Sequence, residues 1–151
     1  MRKIICLYFI GLMVLSGCTK TEEESSGSGS GYDSKEATKR GDVVFAHSGL
    51  KNFSRFEEFL NNMKNHEKDK IRVTGYSHEG DPIFTDLNYD GKAIKYTEDS
   101  SNDKHGGDPA LVRDNCTKLL VRDKPENKID VDYYLSDCES GEEPYLFSKD
   151  R

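Results

Sequence analysis

Four cysteines, four histidines and several closely spaced acids are the residues of this sequence whose types could carry chemistry. His47, His66, His78 and His105 stand far apart, without the His-x-x-x-His or Cys-x-x-Cys spacing that presets a zinc site on one element. Asp86-Leu87-Asn88-Tyr89-Asp90-Gly91 matches the first half of an EF-hand calcium loop, in which alternate oxygen ligands precede a glycine turn. The bidentate glutamate of such a loop would fall at Thr97, however, and the flanking residues read as strands, so a hairpin is the better reading. Asp99, Asp103 and Asp108 share a loop with Lys104, and exposed loop carboxylates of this kind are ordinary. No Gly-x-Ser-x-Gly, phosphate-binding glycine loop or dinucleotide fingerprint is present. The sequence thus predicts no catalytic residue, no metal site and no cofactor, and a protein that is not an enzyme.

Cys18 has the best-defined chemistry. It follows Arg2 and Lys3, an apolar run from Ile4 to Leu15, and the small residues Ser16 and Gly17. A charged start, a short apolar stretch and a small-residue end make an export signal, predicted over residues 1–17. The run falls short of the roughly 17 to 25 residues that span a bilayer. Leu15-Ser16-Gly17-Cys18 resembles the lipobox of bacterial lipoproteins. That resemblance implies that the Cys18 thiol accepts a diacylglyceryl group and that cleavage after Gly17 leaves Cys18 as the first residue. A thiolate is the best nucleophile available for the transfer, and Gly17 leaves room around the cut. One acyl chain, at about 0.8 kcal/mol per buried methylene, holds a protein only marginally, whereas two or three anchor it stably. The expected partner is therefore the membrane, through a lipid on Cys18 and without a spanning helix.

Residues 18–40 hold Glu22-Glu23-Glu24 and then Ser25-Ser26-Gly27-Ser28-Gly29-Ser30-Gly31, with almost nothing apolar to bury. They are predicted to be a flexible tether, with a root-mean-square span of about 25 Å. Residues 41–151 remain as one domain, large enough for a single core. The formal charge of −6 becomes two units more negative once Arg2 and Lys3 are removed, which disfavours nucleic acid as a partner.

Within that domain, Asp42 to His47 reads as a strand. Phe53, Phe56, Phe59, Leu60 and Met63 line one face of a helix, with Asn52 or Ser54 to cap it and Ser54 with Glu57 as a capping box. Lys70 to Thr74 alternates as a strand, and Glu79-Gly80-Asp81-Pro82 turns it into a second, Ile83 to Tyr89. Asp90-Gly91 as a two-residue turn predicts Tyr89 opposite Lys92, Leu87 opposite Ile94 and Thr85 opposite Tyr96. Glu98 to Asp108 reads as a loop, after which Asp108-Pro109 can open a helical turn or Leu111-Val112 a strand. A hairpin around Glu126-Asn127-Lys128 places Leu119 opposite Leu135, Val121 opposite Tyr133, and Cys116 opposite Cys138. With Cys6 in the signal and Cys18 lipidated, Cys116 and Cys138 are the only candidates for a disulfide, and facing strand positions bring them within bridging distance.

The segments Asp69 to Thr74, Glu79 to Phe84 and Asp86 to Lys92 resemble a family of Bacillus-type lipoproteins defined only as a domain of unknown function, number 4362. The likeness spans about residues 41 to 138. It implies a Gram-positive source and attachment to the outer face of the cell membrane, and it transfers no activity and no catalytic residue.

The expected architecture is α+β: one amphipathic helix packed on an antiparallel sheet of five or six strands, in the order strand, helix, meander. The expected function is that of a membrane-anchored cell-surface lipoprotein, a binding or accessory module with a protein or small-molecule partner in the envelope. A calcium-dependent structural or signalling domain, through Asp86, Asn88 and Asp90 or the acidic loop, and an envelope hydrolase are the alternatives.

Overall fold

The computed structural model describes residues 31–103, 105–106, 110–124 and 130–150. The expected signal peptide, Cys18 and most of the tether lie outside them, as do Asp108 and Pro109 and the centre of the predicted 126–128 turn.

Helix α1 (Ser34–Arg40) leads into β1 (Val43–Ala46) and β2 (Gly49–Lys51). Helix α2 (Phe53–Lys64) follows, and then β3 (Asp69–Tyr76), β4 (Pro82–Tyr89), β5 (Ile94–Asp99), β6 (Leu111–Asp123), β7 (Asp130–Cys138) and β8 (Tyr145–Asp150). The strands make one eight-stranded, nearly closed, barrel-like sheet in the order β2-β1-β3-β4-β5-β6-β7-β8. This overturns the expectation of one helix on five or six antiparallel strands. The added elements, α1, β2 and β8, are short and individually weak in sequence signal. The sheet is also mixed, because β1 pairs with β3 in parallel, Val43 beside Val73. A parallel pair needs a crossover, and β2 with α2 supplies it.

The apolar stripe of α2 lies in the concavity of the sheet. Phe56 and Phe59 are fully buried, and the Phe56 ring meets Phe147 at 4.8 Å and Tyr133 at 5.2 Å, edge to face. The same helix packs against β1 and β3, so the sheet curls around it and one core joins residues from Val43 to Phe147. Asn52 precedes the helix in a left-handed conformation (φ 55°) and makes no capping hydrogen bond. Its amide donates instead to the carbonyls of Thr38 and Asp42, tying the end of α1 to β1. The expected cap is absent because this side chain serves the neighbouring helix.

The folded part begins earlier than expected. Asp33 caps α1 by accepting from the N–H groups of Lys35 and Glu36, Gly41 closes it at φ 92°, and Ala37 is buried where the helix meets β1. The Tyr32 ring stands on Phe84 at 5.0 Å, and its hydroxyl donates to Asp42 at 2.6 Å. Asp42 also accepts from Thr74 Oγ1 at 2.6 Å, so this buried carboxylate joins three segments. Residues 32–40 therefore belong to the domain and not to a tether.

The β6–β7 register agrees with expectation: Leu119 faces Leu135, Val121 faces Tyr133, and Cys116 and Cys138 face each other and are joined by a disulfide. The β4–β5 register does not. Tyr89 faces Ile94, Leu87 faces Tyr96 and Thr85 faces Glu98, two residues away from the prediction. Asp90 N–H donates to Ala93 O, and Asp90 Oδ1 accepts from the N–H groups of Lys92 and Ala93, so Gly91-Lys92 forms the tip. A shift of two preserves which face each residue occupies. Gly91, at φ 98°, is required here, since a Cβ would lie 3.0 Å from His66 O.

Candidate binding face

The residues expected to carry chemistry do not converge. Asp86 is taken up by Arg72, whose Nε and Nη2 donate to its two oxygens at 2.7 and 2.8 Å. Those hydrogen bonds raise the Arg72 pKa further, against the opposing effect of its partial burial. Asn88 projects from the same strand face, while Asp90 is engaged by its own turn, where the N–H groups of Ala93 and Lys92 hold its carboxyl below the ordinary value. Asp99 and Asp103 accept from the N–H groups of Ser101 and His105. His47 and His78 approach to 6.4 Å between ring centres, and His66 Nδ1 lies 3.5 Å from the Tyr89 hydroxyl. Among the described residues, one group of potential metal ligands comes together, Asp114 with Cys116 and Cys138. Both sulfurs there are consumed by the disulfide, and Asp114 accepts a hydrogen bond from Ser140 Oγ, so this group is structural.

What the sheet does assemble is a polar face. Side chains alternate across a strand, and the buried set Ile71, Val73, Leu87, Tyr89, Ile94 and Tyr96 defines the inward direction for β3, β4 and β5. The residues between them point outward. Register then aligns Lys70, Asn88, Lys95 and Asn115 in one row across β3–β6, and Arg72, Asp86, Thr97 and Arg113 in the next. Three shallow grooves of about 500, 390 and 300 Å³ follow this face, lined by members of these two rows together with the acids Asp69, Asp90, Asp114 and Glu139. Tyr32 and Phe84 close one end of the face above Thr74.

The charges on the face are unevenly matched. Arg72 is paired with Asp86, but no ion pair engages Lys70, Lys95 or Arg113 among the described residues. Elsewhere on β6 and β7, Lys118 meets Asp137, Arg122 meets Glu143 and Lys124 meets Asp132. Asn115 donates to Glu139 at 3.0 Å, the acid at the β6 border of the face.

Sequence reasoning missed this surface because it exists only once four strands are in register. The predicted β4–β5 register would have put Lys95 opposite Asp86 as an ion pair. The observed one sets it beside Asn88 and leaves the ammonium free of a facing carboxylate. The signal that was available is the spacing of Lys70 with Arg72, Asp86 with Asn88, Lys95 with Thr97 and Arg113 with Asn115, each two residues apart on a strand.

Fold and surface together define a small, disulfide-braced β-sheet domain that buries its apolar residues around one helix and presents a polar, cation-bearing outer face. The chain belongs to the family described as a domain of unknown function (DUF4362), which matches residues 40–131. No curated protein matches the chain in sequence, and no solved structure matches it. No helix among the described residues is long and apolar enough to cross a membrane.

Proposed function

We propose that this protein is a lipid-anchored binding module of the cell envelope, held through Cys18 and meeting its partner with the outer face of β3–β6. The anchor rests on the sequence, on Leu15-Ser16-Gly17-Cys18 and the apolar run before it. The observation that carries the binding role is the coincidence, on one face, of three grooves with Lys70, Lys95 and Arg113, cations outside every ion pair among the described residues. Solvent-facing polar rows with exposed donors suit reversible recognition of a polar partner.

Photo-crosslinking in cells tests this reading. A crosslinker placed at Asn88 is expected to capture an envelope component, and one placed at Lys118, beyond the face, is expected not to. Capture should be lost with Cys18→Ala, which removes the lipid site. Equal capture from both positions, or none from Asn88, would sink the binding-face reading.

A further inference from the structure

We propose that the outer face of β3–β6 binds a linear polyanion whose charges are separated by hydroxyl-bearing units, lying across the strands along the Lys70–Asn88–Lys95–Asn115 row. The inference rests on the reading of this face as the binding surface and adds the chemistry of its occupant.

Charge complementarity is the first argument. The molecule as a whole is acidic, at −6, and Lys118, Arg122 and Lys124, farther along the β6–β7 hairpin, are held by carboxylates of their own. Lys70, Lys95 and Arg113 are exposed on a common surface and stand in no ion pair among the described residues, with Lys68 and Lys92 exposed near the ends of β3 and β4. The acids lining the grooves have partners: Asp86 is held by Arg72, Glu139 by the Asn115 amide, Asp69 by Arg55, Asp114 by Ser140 and Asp90 by the N–H groups of its own turn.

Spacing is the second. Lys70 and Lys95 are separated by one intervening strand, so their Cα atoms lie roughly 10 Å apart, two strand spacings of about 4.8 Å. Asn88 stands between them with both a donor and an acceptor, the pairing that a hydroxyl can satisfy on either side. A chain of phosphates joined by polyol units presents that alternation of charge and hydroxyl. Duplex DNA presents paired strands with a combined charge every roughly 1.7 Å and no free hydroxyl on the deoxyribose between its phosphates, so it does not offer that alternation to the row.

Shape is the third. The cations stand along grooves of 300 to 500 Å³, which an extended chain can follow and a lipid surface cannot enter. The exposed large apolar side chains, Leu111, Val112, Val121 and Tyr145, lie outside the Lys70–Asn115 row, so the row offers nothing to insert between acyl chains.

The test uses the full chain in detergent solution with fluorescent poly(glycerol phosphate) as probe, against glycerophosphoglycerol, the phosphatidylglycerol headgroup without its acyl chains, and duplex DNA. Binding to the probe is expected, weakening roughly tenfold between 50 and 200 mM salt as two or three cations displace counterions from its phosphates. Lys70→Ala with Lys95→Ala should lower affinity at least tenfold at unchanged melting temperature, and Lys118→Ala should change it less than twofold. Absence of probe binding, equal losses from Lys118→Ala and the double variant, or tighter binding to the free headgroup or DNA would each overturn the inference. If the probe fails while Asn88 still crosslinks to another envelope component, the polyanion is wrong and the binding face stands. If both fail, the face itself is wrong.

Discussion

Asp69 shows how one side chain fixes a junction that hydrophobic patterning leaves loose. It opens β3, and its carboxylate accepts from Arg55 and Asn62 of α2 and from the Lys70 N–H, so the helix is pinned to the strand that follows it. Burial pushes the Asp69 pKa up, but the Arg55, Asn62 and Lys70 hydrogen bonds outweigh it and hold the carboxyl below its ordinary value. A folded pKa below the unfolded one means stability that is present above about pH 4 and lost as pH falls through the folded value. Asp69→Asn is therefore expected to cost roughly 1–2 kcal/mol at pH 7 and to shrink toward no cost at pH 2. Melting curves from pH 7 to 2 check this, and a constant difference across that range would contradict it. None of this was legible in the sequence, where Asp69 is one acid among many and its partners lie 14 and 7 residues away.

At the scale of elements, legibility followed the strength of the local pattern. The stripe from Phe53 to Met63 announces α2 because five apolar residues share one helical face, and its burial under Tyr133 and Phe147 is the consequence. The β6–β7 hairpin was legible in its register because three independent pairs, Leu119 with Leu135, Val121 with Tyr133 and Cys116 with Cys138, require the same alignment. The β4–β5 turn was misjudged because Asp90-Gly91 satisfies a common rule for turn tips. The Asp90 carboxylate instead caps the turn from outside and moves its tip one residue along. The β6–β7 bridge closes a loop with a sequence separation of 22, for which chain entropy alone gives a stabilisation of about 3 kcal/mol. Cys116→Ala with Cys138→Ala should accordingly lower the melting temperature by on the order of 10 °C. A shift within 2 °C would mean that the sheet holds this hairpin without help.

For the whole molecule, the number of strands was underestimated where single elements carry too little pattern to stand alone. Gly49-Leu50-Lys51 is three residues at an edge, and β8 relies on Leu146 and Phe147, whose burial depends on the core already being formed. The parallel pairing of β1 with β3 depends on the same closure, since neither strand signals its direction locally. Helix α1 has one buried residue, Ala37, and its attachment lies in polar contacts of Tyr32, Asp42 and Asn52 that periodicity does not report. A chain starting at Gly41 is expected to melt roughly 5 to 10 °C below one starting at Gly31, through loss of about 2 kcal/mol of burial and hydrogen bonding. Equal melting temperatures would show α1 to be an ornament on the sheet. The position of α1 has a mechanical meaning as well. A pull arriving along the chain at residue 31 meets Tyr32 and the α1 packing first, and those contacts can peel away in sequence before β1 is strained. Tension on the amino-terminal side would thus be spent first on the Tyr32 contacts and on uncoiling a seven-residue helix before it reaches β1.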